Sequence, residues 1–542
     1  MQFHYATSLE TIADAVPNRP ALVHGATRRS WAEFDQRAAR LAGAFVNAGL
    51  KPDSKIGHYL YNCNEYIEAH FASFKMRASP INVNYRYLEE ELIYLLDNSD
   101  AEAVLFHGRL AERIAAVAGK LPKLKLLIQV DDGQSPIIPG AVEYEEFLAA
   151  SAPMPRIERS LDDIYMLYTG GTTGMPKGVM YRQGDHCSGL LLGYDFRGIP
   201  RPASYEDMVA AVRRLDGANA LPVSLPACPL MHGTGIWVGA FAPLLIGGCV
   251  VTIPNINFDP DMLWRQVAEH KVTDLIIVGD AFAKPLSNAL DAAASSGAPH
   301  DIASLNMVIS SGVMWTAEVK QQMLKHKDMF LIDAMGSTEG SMGRSLTTRA
   351  STSDTAKFQM GESTKVFNDK DEEVVPGSGE SGMIAAGGMV PVGYFKDPEK
   401  SARTFRTIKG VRYSFPGDFA TVEADGTIRL QGRGSACINS GGEKIFPEEV
   451  EEAVKRHSAV YDCLVVGVKD DRFGEKVTAV ASAKPGQQLD EGAIITEARK
   501  HIAGYKLPKH VIQVPEVKRA PNGKADYKWA KQAAAEALGM LG

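Results

Sequence analysis

The most informative stretch of the sequence reads Tyr168-Thr-Gly-Gly-Thr-Thr-Gly-Met-Pro-Lys177-Gly178. Apolar runs precede it at residues 164–168 and follow it at residues 179–181, which predicts a strand, a loop and a second strand. The glycines let the loop turn with its N–H groups facing inward, and converging N–H groups, hydroxyls and an ammonium group suit a polyphosphate. The candidate phosphate-binding residues are Thr169, Gly170, Gly171, Thr172, Thr173, Gly174 and Lys177.

A flexible hairpin loop is the alternative interpretation of this stretch. The common P-loop pattern, G-x-x-x-x-G-K-[ST] at the start of a helix, is absent. Pro176 also argues against a helix that begins at this point. The six consecutive glycines and threonines at residues 169–174, followed closely by Lys177, favour a phosphate site over a plain turn.

Size and composition restrict the classes of protein that remain. The chain has 542 residues, of which 45% are hydrophobic and 23% are charged, so an ordinary globular protein of more than one domain is expected. A net charge of −7 without a basic block argues against a nucleic-acid partner. The apolar stretches are short and broken by glycine and proline, which predicts no integral membrane segment. Six cysteines without C-x-x-C pairs are typical of reduced packing residues, and with no signal-peptide pattern they predict a cytoplasmic protein.

The first 160 residues alternate between helical and strand patterns. Ser30 followed by Glu33 is typical of a capping box at the start of a helix. A strand is predicted at residues 55–60, a helix at residues 65–75 and another strand at residues 103–106. Such alternation favours parallel α/β layers.

The phosphate-loop stretch closely resembles that of the acyl-adenylate-forming (AMP-binding) superfamily, to which the acyl-CoA synthetases belong. The resemblance covers nearly the whole chain, because residues 331–339, 412–418 and 519–524 also match motifs of the superfamily. Within the acyl-CoA synthetase branch, the chain looks like bacterial fatty-acyl and steroid side-chain ligases.

The resemblance implies roles for individual residues. In relatives, the residue that matches Thr338 binds the α-phosphate, and the one that matches Glu339 binds Mg²⁺, an ion that prefers oxygen ligands. The aspartate that matches Asp418 holds both ribose hydroxyls, and the lysine that matches Lys524 meets the carboxylate and the α-phosphate. The other implied nucleotide contacts are Gly312, Met335, which replaces the aromatic residue of most relatives, Gly336, Ser337 and Arg433.

The acyl group is expected beside residues 229–241. There His232 matches a residue that, in relatives, borders the acyl pocket and helps to gate the thiol tunnel. Trp237 is expected on a helix that lines the acyl cavity, and Val313 is a further pocket candidate. Core packing is the alternative for both His232 and Trp237.

Four other features are interpreted as structural or stay open. Residues 184–226 are an insertion, with an amphipathic helix at 206–215, that either covers the substrate entrance or mediates homodimer contacts. Asp280 is interpreted as a helix N-cap in preference to a substrate contact. Residues 82–87 are interpreted as a structural turn. Residues 379–398 resemble a structural motif of the superfamily, and no chemistry is assigned to them.

The expected fold is α/β, with a large N-terminal domain of layered α/β subdomains and a small, mobile C-terminal α+β domain. The domains are predicted at residues 1–432 and 433–542, with Ser435 as the hinge between two half-reactions. The resemblance implies that Lys524 leaves when the small domain turns and that a loop of Gly441 and Gly442, with Lys444 close by, enters to receive coenzyme A.

The predicted function is an ATP-dependent acyl-CoA synthetase that forms an acyl-AMP intermediate and then an acyl-CoA thioester. ATP, Mg²⁺ and coenzyme A are the expected cofactors, and the expected substrate is a hydrophobic carboxylic acid, either a fatty acid or a steroid or terpenoid side chain. One alternative is an acyl-AMP-forming enzyme that delivers to an acceptor other than coenzyme A. A catalytically silent nucleotide-binding homologue is the other.

Overall fold

The computed structural model describes residues 2–169, 175–440, 443–470, 474–520 and 523–540, with the side chains at 435, 439, 443, 444 and 474 also left out. Several predicted site residues lie outside this description. These are Gly170, Gly171, Thr172, Thr173, Gly174, Gly441 and Gly442, together with the side chains of Ser435 and Lys444.

The chain divides into two compact units. The first unit consists of Met1–Gly340, Leu346–Ser353 and Gly388–Ser414. The second consists of Ser341–Ser345, Asp354–Gly387 and Phe415–Gly542. Residue 435 falls inside the second unit, so the proposed hinge and the domain boundary after residue 432 stay predictions.

Helices and strands are numbered here in chain order. The helices are α1 (Tyr5–Ala15), α2 (Trp31–Asn47), α3 (Asn64–Lys75), α4 (Glu89–Asn98), α5 (Ala111–Ala118), α6 (Tyr144–Ala149), α7 (Gln183–Leu190), α8 (Leu192–Asp195), α9 (Tyr205–Gly217), α10 (Ala242–Leu244), α11 (Pro260–His270), α12 (Gly279–Ser295), α13 (Ala317–His326), α14 (Pro398–Thr404), α15 (Pro447–Lys455), α16 (Glu491–Ala498) and α17 (Tyr527–Ala537). Within the described residues, every helix is too short or too polar to span a lipid bilayer.

The strands belong to several sheets. They are β1 (Pro20–His24), β2 (Thr27–Ser30), β3 (Lys55–Tyr59), β4 (Ser79–Asn82), β5 (Ala101–His107), β6 (Leu126–Val130), β7 (Ala141–Glu143), β8 (Ile164–Thr169), β9 (Lys177–Arg182), β10 (Val223–Pro226), β11 (Cys249–Thr252), β12 (Asp274–Ile277), β13 (Met307–Ser311), β14 (Phe330–Ser337), β15 (Gly340–Thr347), β16 (Lys357–Met360), β17 (Thr364–Phe367), β18 (Ser381–Ala386), β19 (Gly393–Tyr394), β20 (Phe405–Ile408), β21 (Val411–Ser414), β22 (Asp418–Val422), β23 (Thr427–Arg433), β24 (Ile438–Ser440), β25 (Glu443–Ile445), β26 (Val460–Asp470), β27 (Gly474–Ala483) and β28 (His510–Gln513).

Two parallel layers form the first unit. One sheet has the order β4-β3-β5-β6-β7 with every pair parallel, as the alternating pattern of the first 160 residues predicts. In the other, β1, β11, β10, β12, β13 and β14 lie side by side and are parallel. The predicted strand positions are confirmed, and they fix where β14 delivers the Gly-Ser-Thr-Glu motif.

Helix α2 shows why local sequence is informative in this unit. Ser30 accepts a hydrogen bond from the Glu33 N–H at 3.2 Å, and Glu33 accepts one from the Ser30 N–H at 2.7 Å, so the predicted capping box is confirmed. Its apolar face places Trp31 and Phe34 in the main hydrophobic core. The cap and the apolar face of α2 can therefore both be recognised in the local sequence.

The phosphate-loop hairpin forms a small separate sheet in the same unit. Strands β8 and β9 are antiparallel, with Thr169 opposite Lys177, and β19 adds to the other edge of β9. In the insertion, the predicted amphipathic helix is confirmed as α9, and its buried residues Met208 and Val212 join the core. That face of the insertion therefore packs within its own unit.

In the second unit, β16, β23, β22, β18 and β17 pair antiparallel in that order. A further sheet places β26 and β24 against β27, with β28 parallel to it. Helices α15 and α17 pack on this sheet through residues such as Val454 and Ala530. This arrangement of helices on a mainly antiparallel sheet agrees with the α+β character expected of the C-terminal region.

Candidate functional site

The base of the phosphate loop is held by Asn82, at the end of β4. Its side-chain oxygen accepts the Tyr168 N–H at 2.6 Å, and its amide donates to the Tyr168 carbonyl at 2.9 Å. The same amide donates to the carbonyl of Met231, next to His232, at 2.7 Å. Asn82 thus ties the strand that enters the loop to the segment that carries the acyl-pocket candidates, which is a structural role as expected for residues 82–87.

Lys177, the predicted phosphate-binding cation, begins β9. Its Nζ lies 3.0 Å from Oδ2 of Asp397 and 5.6 Å from the centre of the Tyr394 ring. Asp397 is the N-cap of α14, where its Oδ1 accepts the Lys400 N–H at 3.0 Å. The hydrogen bond from Lys177 holds the pKa of the Asp397 carboxyl below its usual range. About a third of each side chain is exposed, so the lysine remains accessible to a phosphate.

Two tyrosine hydroxyls hold the consecutive residues Thr338 and Glu339. The Tyr394 hydroxyl donates to Oε1 of Glu339 at 2.8 Å. The Tyr181 hydroxyl, from β9, donates to the carbonyl of Thr338 at 2.9 Å. Strand β14, which leads to these residues, is itself anchored by a buried ion pair of 3.1 Å between Asp333 and Lys320. The turn that carries the predicted metal ligand is therefore fixed from both sides.

The chemistry around Glu339 suits a cation such as Mg²⁺ that arrives with a polyphosphate. Its carboxylate is half-buried, and among the described residues only the Tyr394 hydroxyl donates a hydrogen bond to it. The described residues contain no cluster of three or more histidine, cysteine, aspartate or glutamate side chains that would hold a metal alone. Since Mg²⁺ bound with nucleotides uses one or two carboxylates, phosphate oxygens and water, a single glutamate fits.

Of the nucleotide-side candidates, Gly312 directly follows β13 and Met335 lies near the end of the neighbouring strand β14. Gly312 has φ +97°, a backbone region that favours glycine, and a Cβ built on it would meet atoms only at 3.8 Å, from Thr234 and Val278. That space would let a planar ring approach the backbone. Met335 is buried near the end of β14, and Ser337 accepts the Glu339 N–H at 3.1 Å. Gly336 lies between them on β14, and Val313, after β13, packs against the core.

One acyl-pocket candidate, Trp237, lies within a π-helix at Thr234–Phe241, an uncommon element that occurs frequently at functional sites. His232 precedes it and accepts the Ile236 N–H on its carbonyl at 3.0 Å. The Trp237 indole donates to the Tyr165 hydroxyl at 2.8 Å, and its ring packs against His186 with centroids 4.6 Å apart. Trp237 therefore takes part in core packing, and its predicted contact with the acyl group stays a prediction.

In the second unit, Asp418 and Arg433 face each other across the pair of strands β22 and β23. The Arg433 Nε donates to Oδ1 of Asp418 at 3.2 Å. Asp418 is buried, and the buried carboxyl of Glu448 on α15 lies close enough for the two charges to interact. Burial raises the pKa of Glu448 to about 7, the negative charge of Asp418 adds to this effect, and Arg433 opposes it. The guanidinium orients the carboxylate predicted to hold the ribose.

Lys524 lies in the second unit. The Ala520 N–H donates to the Lys524 carbonyl at 2.8 Å, and Gly523 has φ +73°. Arg519, next to Ala520, donates two hydrogen bonds to Asp462, at 2.7 Å and 2.8 Å. Pro521 and Asn522 lie outside the described residues. The backbone around the predicted catalytic lysine is therefore well anchored, while its catalytic role stays a prediction.

One sequence-based interpretation is wrong, and one segment makes contacts that its sequence does not reveal. Asp280 is not the N-cap of its helix, because Val278 holds that position; its carboxylate instead accepts the Thr316 N–H at 2.9 Å, ahead of α13. Within residues 379–398, Tyr394 contacts Glu339 and Asp397 contacts Lys177, and both partners are predicted site residues. The sequence does not reveal these contacts, because the partners are remote along the chain and the pairing of β19 with β9 brings them together.

Comparison with known proteins places the chain in a family. A family model described as "AMP-binding enzyme" matches residues 9–395, and one described as "AMP-binding enzyme C-terminal domain" matches residues 449–524. The chain belongs to the AMP-binding enzyme family. The predicted superfamily is thereby confirmed.

Curated relatives of this AMP-binding enzyme are CoA ligases. It is 41% identical over 538 residues to 3-oxocholest-4-en-26-oate–CoA ligase of Rhodococcus rhodochrous. The aligned residues cover 98% of this chain and 96% of that protein. A medium/long-chain-fatty-acid–CoA/3-oxocholest-4-en-26-oate–CoA ligase of Mycolicibacterium smegmatis is 40% identical, with 99% and 97% covered. The predicted enzyme class, an AMP-forming acid–thiol ligase, is confirmed by these comparisons.

Solved structures support the fold of this AMP-binding enzyme. An anthranilate CoA ligase in complex with anthranoyl-AMP superposes with a TM-score of 0.83 at 21% identity, covering 99% of this chain and 98% of that one. ATP-bound MatB from Rhodopseudomonas palustris gives a TM-score of 0.79 at 22% identity, covering 97% and 98%. At such identities the likeness concerns the fold, and it confirms the expected α/β class with a smaller C-terminal region.

Proposed function

We propose that this AMP-binding enzyme is a carboxylate–CoA ligase for a hydrophobic acid, either a medium- or long-chain fatty acid or a steroid side chain. The names of its relatives at 40% and 41% identity support this range of substrates. The observation that carries the proposal is the shared contact of two distant charged groups with Tyr394. Its hydroxyl binds the Glu339 carboxylate at 2.8 Å, and the Lys177 ammonium lies 5.6 Å from its ring.

The carboxylate substrate and ATP are both anions, so the main task of the site is to reduce the electrostatic repulsion between them. Bound ATP supplies the electrophilic α-phosphorus, and bound Mg²⁺ would withdraw charge from its phosphate oxygens. Lys177 and the phosphate loop bind the polyphosphate, Thr338 contacts the α-phosphate and Glu339 holds the cation. Asp418, oriented by Arg433, binds the ribose hydroxyls, and Gly312 and Met335 border the adenine.

The second half of the proposal concerns the exchange of two segments. Lys524 assists the attack of a carboxylate oxygen on the α-phosphorus of ATP, which forms the acyl adenylate and releases pyrophosphate, and Lys524 leaves when the small domain turns about Ser435. The loop of Gly441 and Gly442, with Lys444, then receives the pantetheine arm, and the thiol displaces AMP. We place this activity in the cytoplasm, a location favoured by six cysteines without C-x-x-C pairs.

The decisive experiment measures AMP release and thioester formation with a panel of acids. The panel contains medium- and long-chain fatty acids, 3-oxocholest-4-en-26-oate and benzoate, each with and without coenzyme A. The proposal expects thioester from hydrophobic members and little from benzoate. AMP release that does not respond to coenzyme A would indicate another acceptor, and no release with any acid would contradict ligase activity.

A matched pair of lysine variants tests the proposed exchange. Lys524→Ala should reduce adenylation about a thousandfold while thioester formation from supplied acyl adenylate stays within about threefold, since only the first step needs this ammonium. Lys531→Ala serves as the control, because Lys531 on α17 is exposed and pairs with Glu475. Equal loss of both half-reactions in Lys524→Ala would contradict the proposed role.

A further inference from the structure

Residues 392–401, which we call the bracket segment, are firmly attached to the strand that leaves the phosphate loop. The Val392 N–H donates to the Met180 carbonyl at 2.7 Å, and the Phe395 N–H donates to the Gly178 carbonyl at 2.8 Å. The Tyr394 N–H donates to the Ser401 hydroxyl at 2.8 Å, which closes the bracket segment on itself. Its side chains are therefore presented in a fixed register relative to β9.

The ring of Tyr394 is fixed as firmly as its backbone. Only 6% of the residue is exposed, and the ring packs with Val179, Tyr181 and Phe405 in one small apolar cluster. Its centroid lies 5.2 Å from that of Phe405. A rigid aromatic ring restricts where its hydroxyl can lie, so the bond to Glu339 selects one orientation of that carboxylate.

Tyr181 holds Thr338, the residue that precedes Glu339. It comes from β9, the strand to which the bracket segment is attached, and its hydroxyl holds the backbone of Thr338. With the backbone of one residue and the carboxylate of the next both fixed, Glu339 keeps little freedom. One of its oxygens is engaged by Tyr394, and the remaining acceptor capacity is left for a ligand.

Asp397 shows a second link between the bracket segment and the site. Another Asp-Pro pair in the chain, Asp259-Pro260, begins α11 in the same way, with Asp259 accepting the Met262 N–H at 3.0 Å. Among the described residues, Asp259 has no cationic partner, whereas Asp397 pairs with Lys177. The cap alone therefore does not require the lysine.

We propose that the bracket segment positions both charged groups of the phosphate site, with Tyr394 orienting the Glu339 carboxylate and Asp397 holding the Lys177 ammonium. Both are positioning residues, because they act through Glu339 and Lys177. The inference rests on the proposed function, since it concerns the same nucleotide site. Partners that orient a metal-binding carboxylate typically contribute about 10–100-fold in metal affinity or activity.

The first test compares Tyr394→Phe with Tyr144→Phe. Tyr144 is the matched control, because its hydroxyl also donates to a glutamate, Glu68, at 2.7 Å in another part of the first unit. ATP is titrated calorimetrically with and without Mg²⁺, with no carboxylate present, and AMP is titrated separately. We expect Tyr394→Phe to reduce the gain in ATP affinity due to Mg²⁺ about tenfold and to leave AMP binding unchanged.

Kinetics provide an independent measure of the same effect. For Tyr394→Phe, the Mg²⁺ concentration for half-maximal adenylation should rise about tenfold. The KM for coenzyme A, measured with supplied acyl adenylate, should stay at the wild-type value. A Mg²⁺ dependence equal to that of wild type and of Tyr144→Phe would overturn the proposal, as would equal losses in both half-reactions.

The second test compares Asp397→Asn with Asp259→Asn. Asparagine retains a helix cap, so both variants keep their helices while only Asp397→Asn loses the charge beside Lys177. We expect Asp397→Asn to change the KM for ATP at least threefold and Asp259→Asn to leave it unchanged. Equal KM values would overturn the role of Asp397.

Failure of the inference and failure of the proposed function are distinguishable. If wild-type protein forms no acyl adenylate with any acid, the proposed function fails, whereas the ATP and Mg²⁺ titrations still report on Tyr394. If wild-type protein is active and the Tyr394→Phe titrations match wild type, only the inference about the bracket segment fails.

Discussion

Glu68 and Glu339 of the first unit each accept a hydrogen bond from a tyrosine hydroxyl, but they differ in burial and in their other partners. Glu68, on α3, has a fully buried side chain that accepts bonds from Tyr144 at 2.7 Å and from two nitrogens of Arg37 at 2.8 Å and 3.0 Å. Glu339 is half-buried, and among the described residues its carboxylate accepts only the bond from Tyr394. The first carboxylate is satisfied within the fold, whereas the second retains capacity for a ligand.

This contrast shows how a carboxylate that is paired within the fold differs from one that can accept a cation. A buried carboxylate must be paired within the protein, because an unpaired charge in the interior is costly. A binding carboxylate needs enough support to be held in one orientation and enough free capacity to accept a cation. A tyrosine donor alone does not distinguish the two; the remaining partners do.

The largest effect should come from Glu339→Gln. Loss of the negative charge should lower ATP–pyrophosphate exchange about a thousandfold, or about 4 kcal/mol in activation free energy, with little change in stability. Glu112→Gln, an exposed change on α5, is the control. Exchange within threefold of wild type would show that the carboxylate of Glu339 does not bind the cation.

Next in size is Glu68→Gln, the structural side of the comparison. Removing one partner of this buried ion pair should destabilise its surroundings by about 3 kcal/mol. Hydrogen exchange of peptides from α2 and α3 measures that loss locally. Adenylation per folded molecule should stay unchanged, and a selective loss of ATP affinity would contradict the division between the two glutamates.

Glu451 of the second unit extends the comparison to pH. Burial, followed by the charge of Glu448, raises the pKa of Glu451 to about 8, against the effects of Arg519 and Lys455. The folded state then binds a proton that the unfolded state releases near its ordinary pKa, so this contribution to stability is greatest at low pH and is lost as pH rises towards 8.

We expect the free energy of unfolding of the second unit to fall by about 2 kcal/mol between pH 6 and about pH 7.5 because of the Glu451 carboxyl. Exchange of the Val465 amide, which donates to Glu451 at 2.9 Å, reports the change locally after correction for the intrinsic pH dependence of exchange. Glu451→Gln should flatten the profile. An unchanged slope in the variant would assign the pH dependence to other groups.

The smallest effect should come from Ser30→Ala, which removes half of the capping box of α2. A loss of about 1 kcal/mol, confined to exchange of the first turn of α2, is expected. Adenylation should be unchanged. A measurable change in Mg²⁺ dependence would show that the glutamate comparison does not isolate the site from general stability.

Much of this could be predicted because its causes lie within a few residues. The strands around the phosphate loop follow from apolar runs, the capping box follows from Ser30 and Glu33, and the positive φ of Gly312 follows from a glycine at a strand end. Asp280 was misassigned because a cap pattern does not reveal which helix end accepts the carboxylate.

The family motifs, the alternation of strands and helices, and the residue types proposed for phosphate, ribose and cation can all be recognised in the sequence. The contacts of Tyr394 with Glu339 and of Asp397 with Lys177 cannot, because they depend on the pairing of β19 with β9, which connects segments with no shared local pattern. Local sequence specifies backbone conformation through short-range sterics and hydrogen bonds. Which side chains share a carboxylate or an ammonium depends on how distant strands pack.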